Sequence, residues 1–141
     1  SLIETHQLQA IQLHGNENPI FCDRLKDLNV EIIKVFSIKK DFDFSTLAPY
    51  ENVCDYFLFD TKGELPGGNG YAFDWKMLKS YPSSKPFFLS GGIGMDQLAD
   101  LEDIFKLNLP LYAIDVNSKF ESEAGMKKIE LLKDFKIALF K

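Results

Sequence analysis

Five short apolar runs, Ala10 to Leu13, Glu31 to Ile38, Tyr56 to Phe59, Phe87 to Leu89 and Leu111 to Val116, divide the chain and constrain its fold more than any other feature. Each has the length of a strand and a near-continuous apolar character. Between them lie segments with helical spacing and start signals: Asn16 or Asn18 before Pro19 and the run to Leu28, Asp43 before the segment to Tyr50, Asp74 before Trp75 to Lys79, and Met95 to Phe105. A last segment, Gly125 to Phe140, sets Ile129, Leu132, Phe135, Ile137 and Leu139 among lysines, the pattern of an amphipathic helix. Strands that alternate with helices, with no hairpin between them, build a parallel sheet whose strands are buried on both faces. The chain reads as one α/β domain over residues 1–141.

Composition narrows the function classes. With 141 residues and 45% hydrophobic content the chain is long enough for one real core. Its 16 basic and 21 acidic residues leave a net charge of −5, which supplies no basic field for nucleic acid or an anionic membrane. No apolar stretch approaches the roughly 20 residues of a membrane helix, and the first residues lack a signal-peptide pattern, so a cytoplasmic location is expected. Cys22 and Cys54 read as reduced, buried thiols. His6 and His14 are the only imidazoles, and no HxH, HExxH or CxxC pattern points to a metal.

In α/β proteins ligands bind at the C-terminal ends of the strands, which directs attention to His14, Ser37, Asp60, Ser90 and Asp115. Asp60 ends a buried run and precedes Gly67, Gly68 and Gly70, glycines whose backbone can come close to a ligand. It is either a general acid or a polar strand terminator. An acid must hold its proton near neutrality, and desolvation at an apolar strand end favours that. Ser90-Gly91-Gly92 follows a strand and precedes a helix, so it serves as a phosphate cradle or as simple turn chemistry. Asp115-Val116-Asn117-Ser118 at the next strand end strengthens the phosphate reading, because the last two loops of a (β/α)8 barrel often share such a site. Lys34 is an unusual charge in an apolar strand: it projects into a barrel centre towards a carboxylate, or it marks a solvent-facing position. His14 either touches ligand or orients a loop.

Together these segments resemble the C-terminal two-thirds of phosphoribosylanthranilate isomerases. The resemblance rests on Ile11-Gln12-Leu13-His14-Gly15-Asn16-Glu17, Ile33-Lys34-Val35, Phe59-Asp60-Thr61, GGNGYAFDW from Gly67 to Trp75, Ser90-Gly91-Gly92 and Asp115-Val116-Asn117-Ser118, in order along nearly the whole chain. It implies an Amadori rearrangement of a phosphoribosyl-anthranilate without cofactor or metal. In that reaction an acid protonates the furanose oxygen, the ring opens to a Schiff base, and a base removes the C2 proton. By resemblance Asp60 is the acid, and Ser90, Gly91, Gly92, Asp115, Asn117 and Ser118 lie at the phosphate. Gly67, Gly68 and Gly70 belong to the loop beside the substrate, and His14 sits at the mouth.

The departures are equally specific. The family's general base is a cysteine in a Lys-x-Cys-Gly motif on the first barrel strand, and neither Cys22 nor Cys54 stands in such a motif. Its substrate-contacting arginine has no counterpart, and Lys119-Phe120 stand where Gly-Val is typical. Five βα units fall short of the eight in a barrel of roughly 200 to 250 residues. The expectation is therefore a partial TIM (β/α)8 barrel corresponding to strands 4 to 8, with roughly 60 to 70 residues of strands 1 to 3 absent. Such a piece has two exposed sheet edges, so self-association or pairing with the missing N-terminal segment is expected. Two other readings are a non-catalytic phosphate-binding half-barrel and another phosphate-binding barrel enzyme such as indole-glycerol-phosphate synthase.

Overall fold

The computed structural model describes residues 2–39, 41–60 and 75–140. A short helix α1 (Leu2–His6) leads into β1 (Ala10–Leu13). Helix α2 (Pro19–Leu25) starts where sequence chemistry sets it: Asn18 accepts a hydrogen bond from the Phe21 amide, and Pro19 occupies the first turn. A 3₁₀ turn, Lys26–Leu28, then tightens the segment expected to be one helix, and Asn29 ends it in the left-handed region at φ 51°. β2 (Glu31–Ser37), β3 (Tyr56–Asp60), β4 (Phe87–Ser90) and β5 (Leu111–Ile114) follow, with all neighbouring pairs parallel in the order β1-β2-β3-β4-β5.

Among the described residues, the connections after β2 and β3 hold 3₁₀ helices, Phe44–Tyr50 and Trp75–Ser80. Asp43 caps the first of these from its side chain, and Pro49 inside it removes a backbone donor that an α-helix would use. After β4 a 3₁₀ turn at Met95–Gln97 opens into α3 (Leu98–Phe105). The expected helix from Gly125 begins only at Ile129 (α4, Ile129–Leu139). A small antiparallel pair precedes it, β6 (Glu121–Glu123) with β7 (Met126–Lys127), turning at Gly125 with φ 84°. This hairpin corrects the expectation of a chain without one: the short Glu121–Lys127 stretch lacks a long apolar run and carries its signal only in the turn glycine.

Parallel strands in sequential order, with the right-handed crossovers that such units nearly always take, put their connecting helices on one side of the sheet. That side is the core. Ile32, Phe57, Phe59, Phe87 and Leu89 are fully buried there against Cys22, Leu47, Leu78, Leu101, Ile104 and Phe135 from the connections. Aromatic edges fill it, with Phe36 at 5.4 Å from Phe57 and Phe59 at 5.5 Å from Tyr81. The opposite face differs from the expectation of strands buried on both sides. Tyr56, Phe88 and Tyr112 pack on one another there, yet Tyr112 stays 62% exposed.

Lys34 pairs with a carboxylate, as one of its two expected settings has it, but on the helix-covered face and not facing solvent. It alternates with Ile32 and Phe36 on the helix-covered face, is 3% exposed, and lies 5.5 Å above the Phe36 ring. Its ammonium reaches Glu17 Oε2 at 3.1 Å and donates to the carbonyls of Gly15, Val35 and Leu13.

Candidate functional site

Strand register assembles the site. Ser37, Asp60 and Ser90 stand side by side at one level of the sheet, and the Asp115 amide donates to the Leu89 carbonyl at 2.8 Å, which brings the end of β5 to the same edge. A pocket of about 270 Å³ opens there, lined by His14, Asp60, Ser90, Gly91, Gly92, Asp115, Asn117 and Ser118. These are eight of the eleven residues the sequence singled out as site residues. The other three, Gly67, Gly68 and Gly70, lie outside the described residues. Ser37 shares the row with Asp60 but does not line the pocket.

Asp60 ends β3 at 9% exposure, with His14 Nε2 3.7 Å from its Oδ2. His14 is held there by the turn after β1, where Glu17 accepts from the Gly15 amide and is itself tied to Lys34. Burial pulls the Glu17 carboxyl up, but hydrogen bonds from its own amide, from Lys34 and from Gly15 outweigh that and leave it below the ordinary 4.5. On the other wall Ser90 Oγ donates to Asp115 Oδ2 at 3.0 Å.

The turn after β4 is set by Gly91 at φ 100° and Gly92 at φ 65°, conformations that only glycine adopts at low cost. A Cβ on Gly92 would meet nothing within 4 Å, so open space stands above this turn and the need for glycine is conformational. The turn after β5 is braced from outside. Lys127 donates to Asn117 Oδ1 and to Glu121, while Phe120 is fully buried against Phe135 of α4.

Sequence reasoning missed Gln12, Leu58, Ile93 and Lys119 as pocket residues. Gln12 was legible as a polar side chain in an apolar strand, two residues before His14 and therefore on the same face. Lys119 stood out only as a departure from the family's pattern. Its ammonium lies 3.4 Å from Asp96 Oδ2, and a hydrogen bond from Gln97, then one from the Asp96 amide and then Lys119 hold the Asp96 carboxyl below its ordinary range against the opposing effect of burial.

Both cysteines lie behind the sheet, away from this pocket. Burial pushes the Cys22 thiol up, and burial with Cys22 as neighbour pushes Cys54 up to about 12, so neither supplies a thiolate base near neutrality.

Comparison with known proteins gives one consistent answer. The model of the N-(5'-phosphoribosyl)anthranilate (PRA) isomerase family matches residues 1–137. An N-(5'-phosphoribosyl)anthranilate isomerase of Parabacteroides distasonis is 45% identical over 132 residues, 93% of this chain and 58% of the relative. The crystal structure of phosphoribosyl anthranilate isomerase from Thermus thermophilus superposes with a TM-score of 0.71 at 29% identity, covering 99% of this chain and 62% of that one. A further phosphoribosyl anthranilate isomerase, solved in complex with reduced 1-(o-carboxyphenylamino)-1-deoxyribulose 5-phosphate, matches in fold with a TM-score of 0.72 at 23% identity over 98% of this chain and 62% of that one. The chain thus spans about three fifths of the length of the proteins it matches.

Proposed function

Because the chain belongs to the N-(5'-phosphoribosyl)anthranilate isomerase family, we propose that it carries the acid and phosphate-binding part of that isomerase's active site. In this reading it forms strands 4 to 8 of a (β/α)8 barrel and acts in the cytoplasm on a small phosphorylated substrate in tryptophan biosynthesis. The observation that carries it is the meeting of Asp60, the Gly91-Gly92 turn and Ser118 in one pocket, from three different strand ends. Asp60 protonates the furanose oxygen. The turns after β4 and β5 hold the phosphate through backbone amides and the Ser118 hydroxyl, fixing the sugar with its ring towards Asp60.

The second half of the reaction needs a base for the C2 proton, and the two buried cysteines are unsuited to it. In this reading the base comes from the segment carrying strands 1 to 3, which pairs with the free edges of the sheet. The 141-residue chain alone then binds the reduced product analogue but turns over substrate at a negligible rate, a behaviour that also describes the non-catalytic half-barrel.

One experiment separates them. Anthranilate fluorescence follows the reaction after the chain is mixed with strands 1 to 3 of a family member carrying the cysteine. The isomerase reading expects turnover to appear, and Asp60→Asn to lower it by about 10²- to 10⁴-fold while analogue affinity is kept. Unchanged catalysis in the Asp60→Asn protein removes Asp60 from the role of acid. Full activity of the unmixed chain removes the assignment of the base to another segment.

A further inference from the structure

We propose that Lys119 is a phosphate-contacting residue of this pocket, held at its rim by Asp96 and transferred from that carboxylate to the phosphoryl oxygens when the sugar phosphate binds. The inference rests on the phosphate reading above and extends it to a side chain which that reading does not use.

The charge in the pocket calls for a cation. A phosphate monoester carries close to two negative charges near neutrality, and Asp60 and Asp115 line the same cavity. Among the described residues Lys119 is the only lysine or arginine in the lining. Without it the dianion would face two carboxylates with no lysine or arginine among the described lining residues against them.

Its placement is built rather than incidental. Gly94 has φ −151°, an extended conformation open to any residue, so its backbone does not call for glycine. The space is tight instead: a Cβ there would fall 2.9 Å from Asp96 Oδ1, 3.1 Å from Lys119 Cβ and 3.2 Å from its Cγ, so both members of the ion pair pack against this glycine. The Lys119 stem therefore lies against Gly94, two residues beyond the Gly91-Gly92 turn, and Lys119 lines the same pocket as that turn and Ser118. Asp96 holds it at 3.4 Å in a half-exposed pair. Exposed pairs of this kind contribute little, so exchanging one carboxylate for a dianion requires no rearrangement of the fold, only rotation of a flexible four-carbon stem.

The test titrates the 141-residue chain, by calorimetry, with inorganic phosphate and with reduced 1-(o-carboxyphenylamino)-1-deoxyribulose 5-phosphate, at low and high salt. Lys119→Met is expected to weaken both ligands about tenfold and to flatten the salt dependence, as loss of a charge-assisted contact does. Lys119→Arg should stay within about threefold of the unsubstituted chain, and Asp96→Asn should bind at least as tightly, since the competing carboxylate is gone. Thermal melts of the same samples report the fold. If Lys119→Met binds the analogue as the unsubstituted chain does, the inference falls and the phosphate reading stands. The same holds if Lys119→Met and Asp96→Asn lower the melting temperature alike and change no affinity. If the unsubstituted chain binds neither ligand, the phosphate reading itself falls, and Lys119 with it.

Discussion

Lys34 and Glu17 show how one residue pair links the core to the site. The ammonium sits on the buried face with a carboxylate and three carbonyls around it, and the same carboxylate accepts from the Gly15 amide in the turn that carries His14. A buried charge stripped of its partner typically costs about 3–5 kcal/mol, whereas replacing a buried charge by an apolar side chain of similar volume is often near neutral. Glu17→Gln leaves Lys34 charged and buried, so it is expected to lower the urea midpoint more than Lys34→Met, which leaves a partly exposed Glu17 that water can solvate. The reverse order would show that the pair is not what holds this turn. The Glu17 carboxyl titrates lower in the folded chain than its ordinary 4.5. Its contribution to stability is therefore full above about pH 4.5 and is lost as pH falls through the lower folded value. Urea midpoints measured between about pH 6 and pH 3 should fall less steeply in Glu17→Gln than in the unsubstituted chain. The sequence marked Lys34 as anomalous but left its direction open, because strand alternation states only that neighbours point to opposite faces.

Among the elements, α4 and the 3₁₀ turn Ser118–Phe120 form the outer support of the pocket wall that carries Asn117, Ser118 and Lys119. The Phe135 ring lies 5.0 Å from the fully buried Phe120, edge against face, and Phe120 directly follows Lys119. Phe135→Ala removes a buried ring and is expected to cost about 3–5 kcal/mol, read as a fall in the thermal midpoint. Hydrogen exchange should quicken at Asn117 to Phe120, while the Asp60 side of the pocket keeps its protection; uniform quickening across the sheet would mean that α4 supports the whole fold and not this turn. All five strands were legible within a residue or two, since apolar runs of strand length bounded by turn residues have few other uses. The connections were less legible. The start signal at Asp43 was read correctly and Asn18 was one of the two positions offered for the first, but whether a short segment winds as α or 3₁₀ depends on the space left between strand ends, and the β6–β7 hairpin straddles the start of the segment read as helix from Gly125.

At the scale of the molecule, one face of the sheet is sealed by helices, and the other carries the Tyr56, Phe88 and Tyr112 cluster with Tyr112 open to solvent. β1 and β5 each pair on one side only among the described residues, which leaves two parallel edges with unpaired backbone groups. In the half-barrel proposal these edges are where association is expected, with a second copy or with the segment that completes the barrel. Sedimentation velocity over a range of concentrations is expected to show reversible self-association that this segment competes away; a dilute monomer that unfolds cooperatively would exclude the half-barrel reading. The sequence by itself determined the alternation of strands and helices, the strand-end positions of Asp60, Ser90 and Asp115, and the family. Those depend on local pattern and on short motifs, which a linear chain displays in full. Only the tertiary structure decided that Lys34 turns into the helix-covered core, that both cysteines lie behind the sheet with raised pKa values, and that Lys119 packs against Gly94 and lines the pocket. Those depend on which faces and turns meet across strands far apart in sequence, and register and packing set that, not the residues taken one at a time.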